Sequence, residues 1–337
     1  MDKVLDLYQF GILIFKTILV FAITLIHVAF TTYAERKIIG RAQARFGPKE
    51  VGPHGILQPL ADFLKIFGKE DIIPQAAYKT VFKIAPVIVF AFTTVNLTVL
   101  PFEQGFILAD LNIGVLFILA SASLAVYGII LAGWASNSRY SFLGGLRSAA
   151  QVLSYEIALA LSLASVVLMA DSLKLNDIVL AQYNSVFGFY AIPQIIGFGV
   201  FVIAAFAETN RTPFDLPEAE TELVAGYLTE YSAFRYALFF LGEYTAMYVM
   251  ASLISLCYLG GWTVPKYVIA LLPFLEKVPG IIWFLLKVYF FIFLYIWVRA
   301  TFPRYRFDQL LNLGWKVLIP LGFVNLFITI LIKKFSA

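Results

Sequence analysis

The sequence predicts an all-α integral membrane protein: a bundle of about eight transmembrane helices with an amphipathic interfacial helix and long cytoplasmic loops. Of its 337 residues, 61% are hydrophobic and only 14% are charged, against roughly 25% charged residues in a typical soluble domain. The mean hydropathy is +0.85, and the apolar residues form long runs rather than narrow stripes. So few charges could not cover the surface of a water-soluble helical protein of this length, which is the alternative that composition excludes.

The apolar runs define the predicted spans. They lie near residues 10–33, 83–102, 112–135, 148–170, 187–207, 236–261, 279–300 and 313–332. Each run is long enough to cross roughly 30 Å of hydrocarbon at about 1.5 Å per residue. Because backbone groups in lipid must be hydrogen-bonded within the chain, each span must be helical. The apolar segment 267–275 is too short to cross, so we place it at the interface or folded back.

The distribution of lysine and arginine predicts the orientation. Most of the 25 basic residues lie in or beside the loops after spans one, three, five and seven, and the positive-inside rule puts those loops in the cytoplasm. Eight spans then place both termini outside. Residues 1–337 form a single polytopic membrane domain with cytoplasmic loops at about 34–82, 136–147, 208–235 and 301–312. The N-terminal residues lack the basic region and cleavage site of a signal peptide, so we expect the first span to be retained.

Few residues could hold a cofactor. The chain has one cysteine, Cys257, and two histidines, His27 and His54. No internal disulfide is possible and no cluster has metal-ligand spacing, so we predict that this chain binds no metal and no cofactor. We interpret His27, near the cytoplasmic end of the first span, as a hydrogen-bonded helix contact rather than a ligand.

The first long cytoplasmic loop contains a predicted surface helix. The pairs Gly47-Pro48 and Gly52-Pro53 break the preceding helix. Apolar residues then recur at helical spacing, as expected of a helix in the membrane interface: Ile56, Leu57, Leu60, Phe63, Leu64 and Phe67. Asp62 and Lys65 lie one turn apart beside this apolar stripe. A long apolar molecule with a polar head would find both surfaces here, although a surface helix with a solvated basic face is the simpler alternative.

The second long loop is strongly acidic. It has one basic residue, Arg211, and six carboxylates: Glu208, Asp215, Glu218, Glu220, Glu222 and Glu230. Pro213 and Pro217 interrupt a continuous helix, and a helix starting at Pro217 would place Glu218 and Glu222 on one face. Like charges at that spacing repel each other.

Burial would change the chemistry of this acidic loop. Crowding and desolvation would raise the pKa of some carboxyl groups toward neutrality and couple their titrations, which is what a proton path requires. A solvated acidic loop is the alternative. Apolar and aromatic neighbours favour partial burial: Phe214, Leu223, Val224, Tyr227 and Tyr231.

Ionisable residues also lie within the predicted spans. A carboxylate in hydrocarbon costs a few kcal/mol, so Glu156 in span four and Glu243 in span six should face a polar interior and are functional candidates. Lys16 and Lys287 lie only a few turns from a span end, close enough for their side chains to reach the interface.

Five long motifs together resemble one family. They read AERKIIGRAQARFGP, VGPHGILQPLADFLK, RSAAQVLSYE, AETNRTPFDLPEAETELVAGYLTEYS and RATFPRYRFDQLLNLGWK, and they occur in order along nearly the whole chain. The family is that of a membrane subunit of respiratory complex I, NADH-quinone oxidoreductase, called the H subunit in bacteria and subunit 1 in mitochondria. The amino-acid sequences of the loops are closer to the bacterial type.

The resemblance implies a function that composition could not show. In this family the subunit forms the membrane side of a quinone chamber and links quinone reduction to proton translocation. The chain carries no catalytic residue of its own; quinone is the substrate, and flavin and iron–sulfur clusters are expected on partner subunits. By motif, the chamber residues would be Glu35, Arg36, Asp62, Lys65, Arg211 and Phe214. The proton path would comprise Glu156, Glu208, Asp215, Glu218, Glu220, Glu222, Glu230 and Glu243.

The resemblance also implies partners and a location. The partners are the other complex I subunits: soluble quinone-site and iron–sulfur subunits on the cytoplasmic side, with small membrane subunits and antiporter-like subunits laterally. Quinone and the lipid bilayer are further partners, and no nucleic acid is expected. The expected location is the bacterial inner membrane.

Two other functions remain as alternatives. A quinone-free membrane anchor of an energy-converting hydrogenase resembles this family, and neighbouring genes for an NADH module or a nickel hydrogenase module would distinguish the two. A stand-alone ion transporter is less consistent with the sequence. Such proteins often show internal repeats and helices broken at mid-membrane, whereas no repeat is visible here.

Overall fold

The computed structural model describes residues 2–185, 188–217, 219–271 and 273–336. These residues form thirteen α-helices: α1 Asp2–Ala42, α2 Gln58–Gly68, α3 Lys79–Val95, α4 Gly114–Ala135, α5 Arg139–Ala170, α6 Leu175–Asn184, α7 Ile195–Glu208, α8 Glu220–Leu223, α9 Ala233–Tyr258, α10 Lys266–Leu271, α11 Gly280–Thr301, α12 Phe307–Leu313 and α13 Ile319–Ser336. A π-helical turn, Gly314–Leu318, makes α12 and α13 one continuous rod. The prediction of an all-α membrane protein is confirmed.

Seven helical stretches among the described residues are long and apolar enough to cross a membrane. They are Phe10–Ala42, Lys79–Thr98, Gly114–Ala135, Arg139–Ala170, Ala233–Tyr258, Gly280–Thr301 and Phe307–Phe335. The fifth predicted span, 187–207, corresponds to α7, which has only 14 residues. Bends and turns at residues 188–194 precede it, because Gly188 has a positive φ and a proline donates no backbone hydrogen bond. Residue 187, the start of that predicted span, lies outside the described residues.

α9 forms the centre of the bundle. Of its apolar stretch, 72% is buried, compared with 22% for α1 and for the rod that ends in α13. α9 packs against α3 and α11, while α5 packs against α4, α7 and α13. The sixth predicted span is therefore the core helix, and α1 and α13 lie at the periphery where lipid or other subunits can cover them.

The first predicted loop begins later than expected. α1 continues as helix to Ala42, because no proline or glycine pair interrupts it before Gly47-Pro48. Glu35 and Arg36 are therefore fixed on the last turns of a long helix rather than on a flexible connector. A rigid helix positions their side chains more accurately than a loop would.

The predicted amphipathic helix is present as α2. Its apolar side chains Leu60, Phe63, Leu64 and Phe67 are all exposed. Phe63 and Phe67 contact each other edge to face, with ring centroids 4.7 Å apart, and Phe67 lies 5.8 Å from Phe234 at the start of α9. The helix lies along α1 and α9, with an apolar surface free to meet lipid. The short segment predicted at 267–275 forms α10 and a 3-10 turn, Pro273–Lys277, and does not span; residue 272 is not described.

The acidic loop is sheltered against the bundle, as its apolar residues predicted. Phe214, Leu223, Tyr227 and Tyr231 are all buried. The prediction for Val224 is wrong: this side chain is 56% exposed, because its positive φ of 66° ends α8 and turns the residue outward. α8 is a single turn, Glu220–Leu223, although the sequence allowed a helix from Pro217 onward.

Two ionisable residues in the spans are bonded within the bundle. His27 Nδ1 lies 3.0 Å from the Tyr289 hydroxyl and Nε2 lies 3.2 Å from the Thr31 hydroxyl, which confirms the predicted helix contact. Lys287 extends to the end of a neighbouring span: its ammonium donates to the carbonyl oxygens of Leu259, Gly261 and Thr263 at 2.7 Å each. Lys287 thus satisfies carbonyl groups where α9 ends.

The N-terminus of α7 is bonded to a side chain from α13. The backbone N–H of Gly197 donates to Asn325 Oδ1 at 3.0 Å, and Asn325 Nδ2 donates to Ser165 Oγ at 2.7 Å. Asn325 is buried, and a Cβ at Gly197 would lie 2.4 Å from its Nδ2 atom. The glycine allows the close approach, and the asparagine supplies the acceptor that the first turn of a helix lacks.

Replacing Asn325 with leucine is expected to destabilise the protein by about 1–3 kcal/mol, because the N–H of Gly197 would stay buried without an acceptor. Thermal unfolding of the purified protein in detergent measures the loss. Phe323→Leu is the matched control, since Phe323 lies on the same helix and faces outward, and it should change stability by no more than about 0.5 kcal/mol. Equal effects of the two substitutions would show that the capping contact contributes nothing.

Candidate functional site

A cavity of about 680 Å³ opens between α1, α2 and α9. All four first-loop residues of the predicted chamber line it: Glu35, Arg36, Asp62 and Lys65. Much of the remaining wall is apolar and includes Leu25, Val28, Ala29, Phe63, Phe240 and Leu241. The structure therefore joins an apolar wall to a polar, charged end, which sequence spacing had suggested for α2 alone.

The polar groups from α2 lie at the exposed part of the cavity. Asp62 accepts hydrogen bonds from Arg36 Nη1 at 2.7 Å and from Gln58 Nε2 at 2.9 Å. The Arg36 side chain is 52% exposed and that of Asp62 is 33% exposed, so this ion pair contributes at most about 1 kcal/mol to stability. Its accessibility makes it available to a polar group of a bound molecule.

A buried charge cluster lies behind the cavity, centred on Glu35. Arg211 Nη1 donates to Glu35 Oε1 at 3.0 Å, and the Tyr244 hydroxyl donates to Glu35 Oε2 at 2.5 Å. Arg299 also pairs with Glu35. Tyr244 and Arg299 line the cavity together with Glu35, so one carboxylate connects the cavity to two arginines.

Arg211 extends the cluster to a second carboxylate. Its Nε atom lies 2.7 Å from Glu243 Oε1, an ion pair without hydrogen-bonding alignment, and its guanidinium lies 4.3 Å from the Tyr244 ring centroid. Burial lowers the pKa of Arg211, but Glu243, Tyr244 and Glu35 outweigh that effect and hold the pKa above its ordinary value. Arg211 therefore remains a cation between two acidic side chains.

The remaining predicted chamber residues do not line the cavity within the described part of the chain. Arg211 reaches it only through Glu35 and Tyr244. Phe214 is buried, with its ring 5.6 Å from Tyr305 and 5.8 Å from Tyr155. Phe214 thus contacts α5 within the bundle and the segment between α11 and α12, which contains Tyr305, rather than the cavity.

Three carboxylates of the predicted proton path follow one another through two smaller cavities. Glu243 and Glu208 line a cavity of about 60 Å³. Glu208 and Glu156 line another of about 240 Å³, where the Ser123 hydroxyl donates to Glu156 at 2.6 Å. Glu208 Oε2 is buried and makes no hydrogen bond with the described residues. A row of carboxylates thus leads from the charge cluster into the bundle.

The other predicted acidic residues have different surroundings. Asp215 is buried and pairs with Arg304 at 2.9 Å; burial raises its pKa, while Arg304, Arg299 and Arg211 oppose that rise. Glu222 is exposed and pairs with Arg147 at 2.5 Å, and Glu230 is half-buried. Glu218 lies outside the described residues, and the side chain of Glu220 is likewise not described.

Several residues of this site received no role from the sequence. Arg299 and Arg304 lie in the fifth motif, yet their partners Glu35 and Asp215 are distant in sequence. Gln151, fully buried in α5, donates from its amide nitrogen to Ala207 O at 2.7 Å and Phe214 O at 2.9 Å. The sequence could have drawn attention to these residues because they lie within the motifs. The motifs give no indication of what each side chain contacts.

The comparisons with known proteins agree on one family. The family model described as NADH dehydrogenase matches residues 15–330. The chain is 53% identical to the H subunit of NADH-quinone oxidoreductase from Paramagnetospirillum magneticum over 305 residues, covering 90% of this chain and 87% of that one. It is 55% identical to the H subunit of NADH-quinone oxidoreductase from Rhodospirillum rubrum, covering 87% and 85%.

A plant relative is similar to the same degree. NADH-ubiquinone oxidoreductase chain 1 of Arabidopsis thaliana is 54% identical over 298 residues, covering 88% of this chain and 90% of the relative. The family-model match, residues 15–330, includes the cavity helices, the charge cluster and the acidic row. The chain therefore belongs to the NADH dehydrogenase family, as a multi-pass membrane subunit of NADH-quinone oxidoreductase, of the type called the H subunit.

Proposed function

We propose that this chain is the quinone-chamber subunit of a proton-pumping NADH:quinone oxidoreductase. The cavity of about 680 Å³ carries the proposal, because its volume lies within the range of about 300–1,000 Å³ typical of small-molecule sites. Its apolar wall would take an isoprenoid tail, and Arg36, Asp62 and Lys65 would meet the polar head group. The named relatives are quinone or ubiquinone oxidoreductase subunits, which supports the same substrate class.

The charge cluster supports a link between quinone chemistry and protons. Reduction transiently places negative charge in a low-dielectric cavity, where an ionised Glu35 would feel it strongly. Arg211 and Arg299 both pair with Glu35. Negative charge on the quinone would therefore change how strongly Arg211 is attracted to Glu35 compared with Glu243. Such a redistribution is the differential interaction that a population shift requires.

We propose that the acidic row carries the response away from the chamber. It would run from Glu35 through Arg211 to Glu243, then to Glu208 and Glu156. The cavities between these carboxylates, about 60 and 240 Å³, are large enough to hold water. The loop carboxylates Asp215, Glu218, Glu220, Glu222 and Glu230 belong to the same proposed path, which leads to neighbouring antiporter-like subunits.

The location and partners follow from the same proposal. The cavity end of the bundle carries the basic loops, so we propose by the positive-inside rule that it faces the cytoplasm of a bacterial cell. With the shorter helix α7 counted as an eighth crossing beside the seven long ones, both termini would lie outside the inner membrane. Soluble partner subunits would then cover the cavity end and bring the flavin and iron–sulfur clusters. The alternative of a quinone-free hydrogenase anchor is less well supported, since the named relatives are NADH-quinone oxidoreductase subunits.

Ala29→Phe in the assembled complex tests the chamber. Ala29 lines the cavity, and a phenyl ring there should raise the KM for quinone at least several-fold and reduce labelling of α1 by a photoreactive quinone. Oxidation of NADH by a hydrophilic acceptor at the soluble module should stay unchanged. Ile26→Phe is the matched control, because Ile26 is one turn away on the exposed face of α1. If both variants show the same KM and labelling, the cavity does not bind quinone.

A further inference from the structure

The connector between α11 and α12, residues 302–306, holds the second loop from outside through three successive contacts. Arg304 Nη2 donates to Asp215 Oδ2 at 2.9 Å. The backbone N–H of Tyr305 donates to Pro213 O at 3.2 Å. The Tyr305 ring stacks on Phe214, with centroids 5.6 Å apart and planes 18° apart. An ion pair, a backbone hydrogen bond and a ring contact thus join two residues of the connector to three of the loop.

The two sides of this contact differ in exposure. Phe214 and Asp215 are buried, at 5% and 7%, whereas Tyr305 is 41% exposed and the Arg304 side chain 36%. On the inner side, Gln151 binds the Phe214 carbonyl. Phe214 is therefore held between α5 within the bundle and the connector at the surface, and the connector supplies the accessible half of that clamp.

The clamped segment is joined directly to the charge cluster. The N–H of Phe214 donates to the carbonyl oxygen of Arg211 at 2.8 Å, so the position of Phe214 constrains the backbone of Arg211. At the other end, Arg299 lies five residues before Arg304 and pairs with Glu35. The connector therefore reaches the cluster by two routes, through the loop and through the end of α11.

We infer that Arg304 and Tyr305 are positioning residues, which hold Phe214 and Asp215 and thereby set Arg211 between Glu35 and Glu243. This inference rests on the proposed function, in which Arg211 links the quinone chamber to the acidic row. Neither residue lines the large cavity within the described structure, so each acts through the loop rather than on a bound molecule.

The charge of Asp215 makes this contact sensitive to pH. Its Oδ1 atom is buried and makes no hydrogen bond with the described residues, so the carboxylate depends on Arg304 at its other oxygen. The charged groups that face it are Arg304, Arg299 and Arg211, together with Glu243. Burial raises the pKa of Asp215 and the arginines lower it; without Arg304 the carboxyl group would take up a proton at a higher pH.

The test compares Arg304→Gln, Arg304→Lys and Arg306→Gln in the intact complex in membranes. We expect Arg304→Gln to move the acid limb of the NADH:quinone activity profile to higher pH by about one unit, as expected for the loss of a neighbouring opposite charge. Arg304→Lys should restore the profile. Arg306→Gln is the matched control, since Arg306 is highly exposed in the same connector and pairs with Asp308. In an Asp215→Asn background, Arg304→Gln should cause no further shift.

A second measurement does not depend on quinone turnover. Amide hydrogen exchange of peptides covering residues 302–307 should become at least about tenfold faster in Tyr305→Leu and in Arg304→Gln, because the Tyr305 N–H is released from Pro213. Arg306→Gln should leave the exchange unchanged. Unchanged exchange in both variants would overturn the clamp itself.

The two measurements separate the possible failures. Faster exchange with an activity profile identical to that of Arg306→Gln would overturn the positioning role, while the chamber could still be confirmed with Ala29→Phe. If Ala29→Phe shows no effect on quinone, the proposed function fails, but the exchange experiment still reports whether the clamp exists.

Discussion

Arg211→Met is expected to cause the largest loss among charge substitutions in this protein. Among the described residues, it would leave Glu35 with Arg299 and the Tyr244 hydroxyl, and Glu243 without its ion-pair partner, both in the interior. Removing one partner of a buried ion pair costs about 3–5 kcal/mol, because the remaining charge stays desolvated. We expect the thermal stability of the assembled complex to fall by that amount. We also expect quinone reduction to fall at least about tenfold, which corresponds to a rise of about 1.4 kcal/mol in the activation free energy.

The control is an ion pair of the same chemistry at the surface. Arg147 pairs with Glu222 at 2.5 Å, with side chains 29% and 46% exposed. Arg147→Met should therefore change stability by no more than about 1 kcal/mol. Calorimetry of both variants, with quinone reductase assays at matched complex content, provides the comparison. Similar losses for the two variants would show that burial of the Arg211 cluster has no energetic consequence.

Gly144→Ala is expected to cause a large loss of stability, because the added methyl group would meet the backbone of the second loop. A Cβ at Gly144 would lie 2.7 Å from both the Gly226 Cα and the Tyr227 N. These are backbone atoms of the second loop, so no side-chain rotation can relieve the clash. The loop would have to move away from α5, at a cost of about 1–3 kcal/mol or more. Thermal unfolding should show the loss, and quinone reduction should fall with it.

Gly199→Ala is the matched control for this prediction. Gly199 also lies inside a helix, α7, but a Cβ there would meet no heavy atom within 4 Å. Alanine is the better helix former by about 1 kcal/mol, so this variant should be neutral or slightly stabilised. A stable Gly144→Ala variant, comparable to Gly199→Ala, would contradict the tight packing of the loop against α5.

The local features of the fold could be predicted because they depend on neighbouring residues. The seven long spans follow from apolar runs, and α2 follows from apolar residues at helical spacing. α7 was harder to predict, since its run of apolar residues is long enough to span. The turns at residues 190–194 shorten the helix, and Asn325 from a distant helix supplies the acceptor at its start. Composition within a window carries no signal for such a contact.

The candidate site was predicted as a set of residue types rather than as an arrangement. Glu35, Arg36, Asp62 and Lys65 do line one cavity, yet no spacing rule indicated that Tyr244 and Arg299 would share Glu35. Val224 shows the same limit, because its apolar side chain suggested burial and the backbone turn at the end of α8 exposes it. The direction of a side chain in a loop is set by the chain around it.

The sequence by itself determined the membrane class, the approximate spans, the family and the identity of the acidic residues, since these follow from composition and contiguous motifs. Only the tertiary structure decided that α9 is the core helix, that Arg211 lies between Glu35 and Glu243, and that residues 302–306 hold the second loop. The physical reason is that each of these features joins groups far apart in the chain. Their energies depend on desolvation and on distances of about 3 Å, which no local pattern encodes.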